Sequence, residues 1–281
     1  MTIRAVLFDL DNTLLLEDEA TRSAIREVSG LARARGVDPA VLATAAPRIA
    51  ERLWTASPLF GWADRMGIWW GEGLWGEFVG EAPELGALRA FLPGFRRGVW
   101  RGALAAAGMV DDALADRLAG EFRSRRRARQ PMDPEAEVVL GDLARDHALA
   151  LVTNGAPDVQ REKLAGTSLA RHFRAVAISV EVGVAKPDPR IFELALERIG
   201  VVPAEAVMVG DSLRRDIAGA RAAGLRAVWI DRHLGDEGGG PLPEPDARIE
   251  RLSEVRPLLA RLDAPAPGGA SPRGSRAPRQ A

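Results

Sequence analysis

The sequence predicts an α/β protein in which a parallel sheet carries a long helical insertion after its first strand. From about residue 138 onward, short apolar runs alternate with helical stretches, a pattern typical of βαβ units and therefore of parallel strands. Residues 5–8 form another apolar run near the amino terminus, and it ends in Asp9 as later runs end in polar residues. Residues from about 20 to 129 contain no strand pattern and are predicted to be mainly helical.

Five apolar runs are predicted as strands of this sheet. They span residues 5–8, 148–152, 175–179, 206–209 and 226–230. One helix between them has clear ends, because Asp188 is a typical N-cap, Pro189 suits the first helical position and Gly200 suits the end. We expect a loop near residues 235–245, a last helix near 252–262 and a disordered, basic tail over 263–281.

The helical insertion is rich in tryptophan. Six of the seven tryptophans of the chain lie there, at positions 54, 62, 69, 70, 75 and 100. Glycines between residues 71 and 76 argue against a regular helix at that point and favour a loop that presents aromatic rings. Core packing is one interpretation of these rings, and a substrate entrance or a contact with a second protomer is the other. The basic run at residues 123–129 is interpreted as a solvated helix face, with steering of anionic substrates as the alternative.

The composition excludes several classes of protein. A formal net charge of −1 over 281 residues gives no field that would favour nucleic acid or an acidic membrane as partner. The absence of cysteine excludes disulfides, thiolate zinc sites and cysteine nucleophiles. No apolar stretch reaches the length of a membrane span, and no signal peptide is visible. We therefore expect a cytoplasmic protein, either a monomer or a homodimer.

The strand ends carry the candidate chemistry. Asp9 and Asp11 follow the first strand, and side chains two residues apart on an extended chain point the same way. Two carboxylates so close together need a cation between them, or one of them must hold a proton. The carboxyl ends of parallel strands share one edge of the sheet, where ligands bind. This edge also carries the polar residues that follow the later strands, namely Thr153, Asn154, Lys186, Asp211 and Asp216.

These residues are suited to a metal ion beside a phosphate. Mg²⁺ prefers oxygen ligands and takes one or two protein carboxylates, which Asp9 and Asp211 supply, with Asp216 as a further candidate. The Thr153 hydroxyl and the backbone N–H groups after it can receive an anion, and Lys186 adds a compact positive charge.

Four segments, in this order, resemble the four motifs of the haloacid dehalogenase superfamily. They are Asp9-Leu10-Asp11-Asn12-Thr13, Leu151-Val152-Thr153-Asn154-Gly155, Lys186-Pro187-Asp188-Pro189 and Gly210-Asp211-Ser212-Leu213-Arg214-Arg215-Asp216. The resemblance covers about residues 1–16 and 132–232, and the helical insertion resembles the cap of the helical-cap subfamily. It implies a Rossmann-like parallel sheet core formed by residues 1–18 and 132–262, with a helical cap domain at 19–131.

The resemblance also implies a Mg²⁺-dependent hydrolysis of a small phosphorylated metabolite. Asp9 would be the nucleophile that forms an aspartyl-phosphate, and Asp11 would be the general acid and base. The phosphate would be bound by Leu10, Thr153, Asn154 and Lys186. The metal would be held by Asp9, the backbone carbonyl of Asp11, Asp211 and Asp216.

The motifs leave three alternatives to this function. The resembling dehalogenases lack an acid at the position of Asp11, because halide leaves without a proton, so Asp11 favours phosphate esters over a 2-haloacid. Phosphomutases of the same fold carry both carboxylates and are not excluded by the motifs. A non-catalytic binding module is the alternative from another class, and the intact set of Asp9, Asp11, Lys186 and Asp211 counts against it.

Overall fold

The computed structural model describes residues 2–233 and 241–263, and among these six parallel strands form a single sheet. The strands are β1 Ala5–Phe8, β2 Ala148–Thr153, β3 Ala175–Ile178, β4 Ala206–Gly210, β5 Arg226–Ile230 and β6 Ala247–Ile249. Their order in the sheet is β3-β2-β1-β4-β5-β6. The predicted α/β class and parallel sheet are confirmed. Strand β6 was not predicted from the sequence.

Strand β1 lies in the middle of the sheet. Ala5 is aligned with Ala148 of β2 on one side and with Ala206 of β4 on the other. All residues of β1, β2 and β4 are buried, which is the burial expected of a parallel sheet covered on both faces. The register brings the carboxyl ends of these three strands to the same edge, so the residues that follow them are neighbours.

Helices cover both faces of the sheet. They are α7 Ala136–Leu143, α8 Pro157–Ala165, α9 Ser179–Val182, α10 Pro189–Ile199, α11 Ala218–Ala222 and α12 Val255–Asp263. Helix α10 begins and ends where the sequence predicts, because the Asp188 side chain accepts from Arg190 N and Gly200 takes the left-handed conformation at the end. The predicted loop at 235–245 lies partly outside the described residues, and the predicted tail lies almost wholly outside them.

A helical segment separates β1 from β2. Its helices are α1 Glu17–Gly30, α2 Pro39–Thr55, α3 Phe60–Met66, α4 Trp70–Gly73, α5 Pro83–Ala106 and α6 Asp112–Arg127. They share an apolar cluster that also contains Ala156 and Val159, which lie at the start of α8. The segment is therefore packed directly against the polypeptide that follows β2. The division into a core at 1–18 and 132–262 and a cap at 19–131 stays a prediction.

Some tryptophans of this segment pack in its core, and one lies at a cavity, so each of these two predicted roles is found. Trp54, Trp75 and Trp100 are buried in its apolar cluster. The helical turn α4 ends at Gly73 and residues 74–75 form a turn, so the prediction that no regular helix runs through residues 71–76 is confirmed, whereas the predicted loop is helical in its first part. Trp69, just before α4, faces a cavity at the carboxyl edge of the sheet. Among the described helices, none is long and apolar enough to cross a membrane.

Candidate active site

A cavity of about 250 Å³ opens at the carboxyl edge of the sheet. It lies beyond the ends of β1, β2 and β4, where the chain turns from strand into loop or helix. Seven of the residues predicted for the site line it, and Leu10 is not among the lining residues. The seven are Asp9, Asp11, Thr153, Asn154, Lys186, Asp211 and Asp216.

Lys186 joins two of the buried carboxylates. Its Nζ lies 2.5 Å from Asp9 Oδ1 and 2.7 Å from Asp216 Oδ1, and all three side chains are almost completely buried. The Asn154 side chain fixes the Lys186 backbone, because its Oδ1 accepts from Lys186 N at 2.9 Å and its Nδ2 donates to Lys186 O at 3.0 Å. The loop after β2 therefore positions the lysine that faces the end of β1. The peptide bond between Lys186 and Pro187 is cis.

Burial sets the protonation of this group. Burial raises the pKa of Asp9 to about 6, although the charge of Lys186 opposes the shift. Burial alone would lower the pKa of Lys186, but the Asp216 and Asp9 carboxylates outweigh it and raise that pKa above its ordinary value. Lys186 is therefore a permanent cation at neutral pH.

Three carboxylates are close enough to bind one metal ion. Oxygens of Asp9, Asp211 and Asp216 all lie within 4.8 Å of one another. Asp216 is held in place by the Ser212 N–H, which donates to its Oδ2 at 3.0 Å. A Cβ at Gly210 would lie 2.3 Å from the same oxygen, so only glycine fits at this strand end. An all-oxygen set of this kind is suited to a hard divalent cation such as Mg²⁺.

The Asp11 side chain has different neighbours from those of Asp9. Both of its carboxylate oxygens accept from Lys163 Nζ at 2.9 Å, and Oδ2 also accepts from Gln160 Nε2 at 3.0 Å. Gln160 Nε2 further donates to Thr153 Oγ1 at 2.6 Å. Burial raises the pKa of Asp11, and the charge of Lys163 opposes the shift. The two carboxylates of the first motif are thus paired with different lysines.

Lys163 leads to a buried charge network that the sequence analysis missed. Its Nζ lies 2.8 Å from Glu72 Oε1 and 3.5 Å from Glu17 Oε2, and Glu17 also forms a buried ion pair with Arg126. Burial raises the pKa of Glu72 to about 7. For Glu17, the charges of Lys163 and Arg126 outweigh burial and lower the pKa.

One correction concerns the basic run at 123–129, for which the sequence pattern predicts a solvated helix face. Arg126 is fully buried, and its guanidinium lies 5.0 Å from the centre of the Trp75 ring. Its neighbours Arg125 and Arg127 are about one-third exposed and form ion pairs at the surface. The helical period of α6 places Arg126 on the inner face of the helix. In the sequence, this period is the signal that could have identified Arg126 as buried.

The helical segment closes one side of the cavity. Gly67 has a φ of +75°, and a Cβ there would lie 2.4 Å from the Cβ of Asn154. The Ser179 hydroxyl donates to Met66 O at 2.7 Å and accepts from Gly155 N at 2.9 Å. The segment therefore touches the loop that follows β2. Trp69 from this segment also lines the cavity, as does Arg215 from the short helix Leu213–Ile217 that follows β4.

Comparison with known proteins gives consistent matches over most of the chain. The sequence pattern of the haloacid dehalogenase-like hydrolases matches residues 3–224. The chain is 43% identical over 254 residues to a phosphoserine phosphatase of Thermus thermophilus, and the match covers 90% of this chain and 98% of that protein.

Two solved structures share the fold. The magnesium-bound HAD-hydrolase YfnB of Bacillus subtilis superposes with a TM-score of 0.62 at 22% identity, over 92% of this chain and 99% of that one. A 2-haloacid dehalogenase of Pseudomonas syringae superposes with a TM-score of 0.54 at 28% identity, over 93% of this chain and 100% of that one. The fold alone therefore does not separate phosphate from halide chemistry.

Proposed function

The chain belongs to the haloacid dehalogenase-like hydrolases and hydrolyses phosphate monoesters, and we propose that Asp9 is the nucleophile of that reaction. The observation that carries the proposal is the pairing of Asp9 with Lys186 at 2.5 Å beside two further carboxylates. An ionised carboxylate at this position can attack phosphorus, and the buried cation stabilises the charge that gathers there. Asp9 lies at the carboxyl end of the central strand, which is where ligands bind in parallel sheets of this kind.

The reaction has two steps. In the first, an Asp9 oxygen attacks phosphorus, the bond between phosphorus and the ester oxygen breaks, and the leaving alkoxide takes a proton from Asp11. In the second, Asp11 accepts a proton from water, the water oxygen attacks phosphorus, and the bond to Asp9 breaks to release phosphate. Asp11 gives its proton to the leaving alcohol and takes a new one from water, so it acts as acid and then as base and ends protonated, as it began.

Mg²⁺ is the proposed cofactor. Asp9, Asp211 and Asp216 supply an oxygen donor set that fits it, and the backbone carbonyl of Asp11 is a further proposed ligand. When bound, the ion neutralises charge on the phosphoryl oxygens. The proposed phosphate contacts are the backbone of Leu10, the Thr153 hydroxyl, Asn154 and Lys186. Thr153 is supported by its buried position at the cavity, whereas Leu10 rests on the motif alone.

Asp11 supports phosphate over halide chemistry. Its carboxylate lines the cavity two residues after the nucleophile, where an alkoxide leaving group needs a proton. A halide leaving group would need none. Phosphomutase activity also uses both carboxylates, so it is an outcome to be tested by product analysis.

We propose that the substrate is a small phosphorylated amino acid of the phosphoserine class. The relative with 43% identity is a phosphoserine phosphatase, and the cavity of about 250 Å³ accommodates a molecule of that size. Arg215 and Asp18 both line the cavity and offer a cation for a carboxylate and an anion for an ammonium group. A cytoplasmic location and a monomeric or homodimeric state stay predictions of the sequence.

The test compares phosphate release from phosphoserine, phosphoethanolamine and 3-phosphoglycerate, with Mg²⁺ and with EDTA. We expect metal-dependent release that is fastest for phosphoserine, because the other two each lack one of the recognised groups. Arg215→Gln should raise KM for phosphoserine about tenfold or more and leave phosphoethanolamine nearly unchanged, since a charge-assisted contact is worth about 1.5–3 kcal/mol. Arg221→Gln is the control, because Arg221 pairs with Asp246 at the surface.

Two outcomes would overturn these proposals. Halide release from 2-chloropropionate without phosphatase activity would remove the assignment to phosphate esters. Equal rates on the three phosphates, unaffected by Arg215→Gln, would remove only the substrate class.

A further inference from the structure

Lys163 is a buried cation that connects the candidate general acid to the helical segment. Its ammonium is completely buried and contacts both oxygens of Asp11 at 2.9 Å and Glu72 Oε1 at 2.8 Å. Asp11 lies in the loop after β1, Lys163 in α8 and Glu72 in α4. They are far apart in the sequence, so only the folded arrangement of sheet and helical segment brings them together.

We propose that Lys163 and Glu72 are positioning residues that hold the Asp11 carboxylate in place for proton transfer when the helical segment is seated on the sheet. This inference rests on the proposed function, in which Asp11 transfers protons to and from the reacting groups. It assigns a role in the reaction to Glu72, which lies in the segment between β1 and β2 and outside all four sequence motifs.

Asp11 is held by contacts at both oxygens. Lys163 Nζ bridges the two oxygens, and Gln160 Nε2 donates to one of them. Gln160 and Lys163 are three residues apart on α8 and therefore lie on the same face of that helix. A general acid transfers a proton well only from a defined position close to the leaving oxygen, so restraining the carboxylate has a direct effect on rate.

Glu72 in turn holds Lys163. A lysine side chain has four rotatable bonds, and Lys163 would otherwise be fixed at its end by Asp11 and by the longer 3.5 Å contact with Glu17. Glu17 is already paired with Arg126. Glu72 therefore supplies the second short contact of the ammonium, and its second oxygen has no hydrogen-bond partner among the described residues.

The position of Glu72 depends on how the helical segment packs against the loop after β2 and against α8. Residues 66–76 lie against the loop after β2 and against α8. Met66 O accepts from the Ser179 hydroxyl, Gly67 meets Asn154, and a Cβ at Gly76 would lie 2.8 Å from Val159. Movement of this segment away from the sheet would withdraw Glu72 from Lys163. The network therefore links closure over the cavity to the position of Asp11.

Stability alone is a weak explanation for this network. Buried ion pairs can often be replaced by apolar residues of similar volume without loss of stability, because desolvation offsets the attraction. The surface of α8 also carries a separate connection to the helical segment, the ion pair between Glu162 and Arg127 at 2.7 Å. That pair joins the same two parts of the molecule without touching Asp11, and it provides a matched control.

The test measures the first step with two leaving groups. Single-turnover release of serine from phosphoserine needs a proton from Asp11, whereas the burst of dinitrophenolate from 2,4-dinitrophenyl phosphate needs none. We expect Lys163→Met and Glu72→Gln to slow serine release by about 100-fold and 10-fold, within or below the range of general acid catalysis. The dinitrophenolate burst should change less than about threefold in both variants. Glu162→Gln should behave as the wild type with both substrates.

Non-additivity provides a second readout. Asp11→Asn combined with Lys163→Met should release serine no more slowly than Asp11→Asn alone, because Lys163 acts through Asp11. Glu72→Gln keeps the shape of the side chain, so it tests the proposal even where Lys163→Met does not fold. Equal losses on the two substrates, or wild-type rates in Glu72→Gln, would overturn the inference. Absence of phosphoserine hydrolysis by the wild type would instead overturn the proposed substrate.

Discussion

Replacing Lys186 by methionine removes the buried cation that lies between Asp9 and Asp216. Methionine has a similar length, so the change removes the charge with little change in packing. At an effective dielectric constant of about 20, the attractions across 2.5 Å and 2.7 Å are each about 6–7 kcal/mol. Desolvation of the ammonium offsets part of this sum, and the loss of one partner from a buried ion pair costs about 3–5 kcal/mol of unfolding free energy.

The effect on activity follows from the pKa of Asp9. Burial raises this pKa to about 6, and the charge of Lys186 opposes the shift, so its removal raises the pKa further. More of Asp9, the proposed nucleophile, is then protonated at pH 7, and the charge on phosphate loses a stabilising cation. We expect kcat for phosphoserine at pH 7 to fall by about 10²- to 10³-fold.

The assay combines urea unfolding in EDTA with steady-state phosphate release in Mg²⁺. Lys186→Arg is the control, because it keeps the charge and changes the shape. We expect the kcat of Lys186→Met to recover partly as pH rises from 6 to 8.5, since ionised Asp9 is regained. A Lys186→Met variant with kcat within threefold of the wild type at pH 7, or with less than about 1 kcal/mol of lost stability, would refute this reasoning.

Three further predictions follow from the same geometry. In the proposed site, Mg²⁺ binds the ionised form of Asp9, whose pKa is about 6, so the Mg²⁺ affinity measured by calorimetry should weaken about tenfold per pH unit below pH 6; equal affinities at pH 5 and 7 would contradict the proposed site. Arg126→Met leaves Glu17 buried without its guanidinium partner and should lower the free energy of unfolding in urea by about 3–5 kcal/mol. Adding Glu17→Gln to Arg126→Met should recover part of this lost stability. A loss below about 1 kcal/mol in Arg126→Met alone would argue against the network. Trp100→Ala empties a fully buried position and should cost about 3–5 kcal/mol in the same assay with KM unchanged, whereas a large change in KM would place Trp100 at the substrate.

The sheet and the strand-end residues were predictable because each depends on a local pattern. Apolar runs bounded by polar residues predicted β1 to β5, and the rule that parallel strands share their carboxyl edge brought Asp9, Thr153 and Asp211 together. Strand β6 was missed because it has only three residues, of which one is an exposed arginine. Pairing with β5, rather than its own sequence, makes it a strand.

The buried charge network was not predictable in the same way. Lys163 and Arg126 occupy helices whose surfaces carry many charged residues, and a charge there is typical of solvated faces. Glu72 lies in a short helical turn between glycines, where no periodic pattern marks it as buried. Their burial follows from the packing of the helical segment on α8, which involves residues far apart in the sequence. The tryptophans show the same limit of prediction from sequence. Their positions in the sequence place them in the helical segment, but only the packing shows that Trp75 lies in its core and Trp69 at the cavity.

The most direct test of covalent catalysis by Asp9 is to trap the phosphorylated protein. Asp11→Asn should still be phosphorylated by ³²P-labelled 2,4-dinitrophenyl phosphate, because this leaving group needs no acid, but it lacks the base for the second step. After acid quenching, we predict about one label per protein, located in the tryptic peptide of residues 5–22 and absent when Asp9→Asn is added. Label in another peptide, or wild-type turnover with no label in Asp11→Asn, would contradict the account.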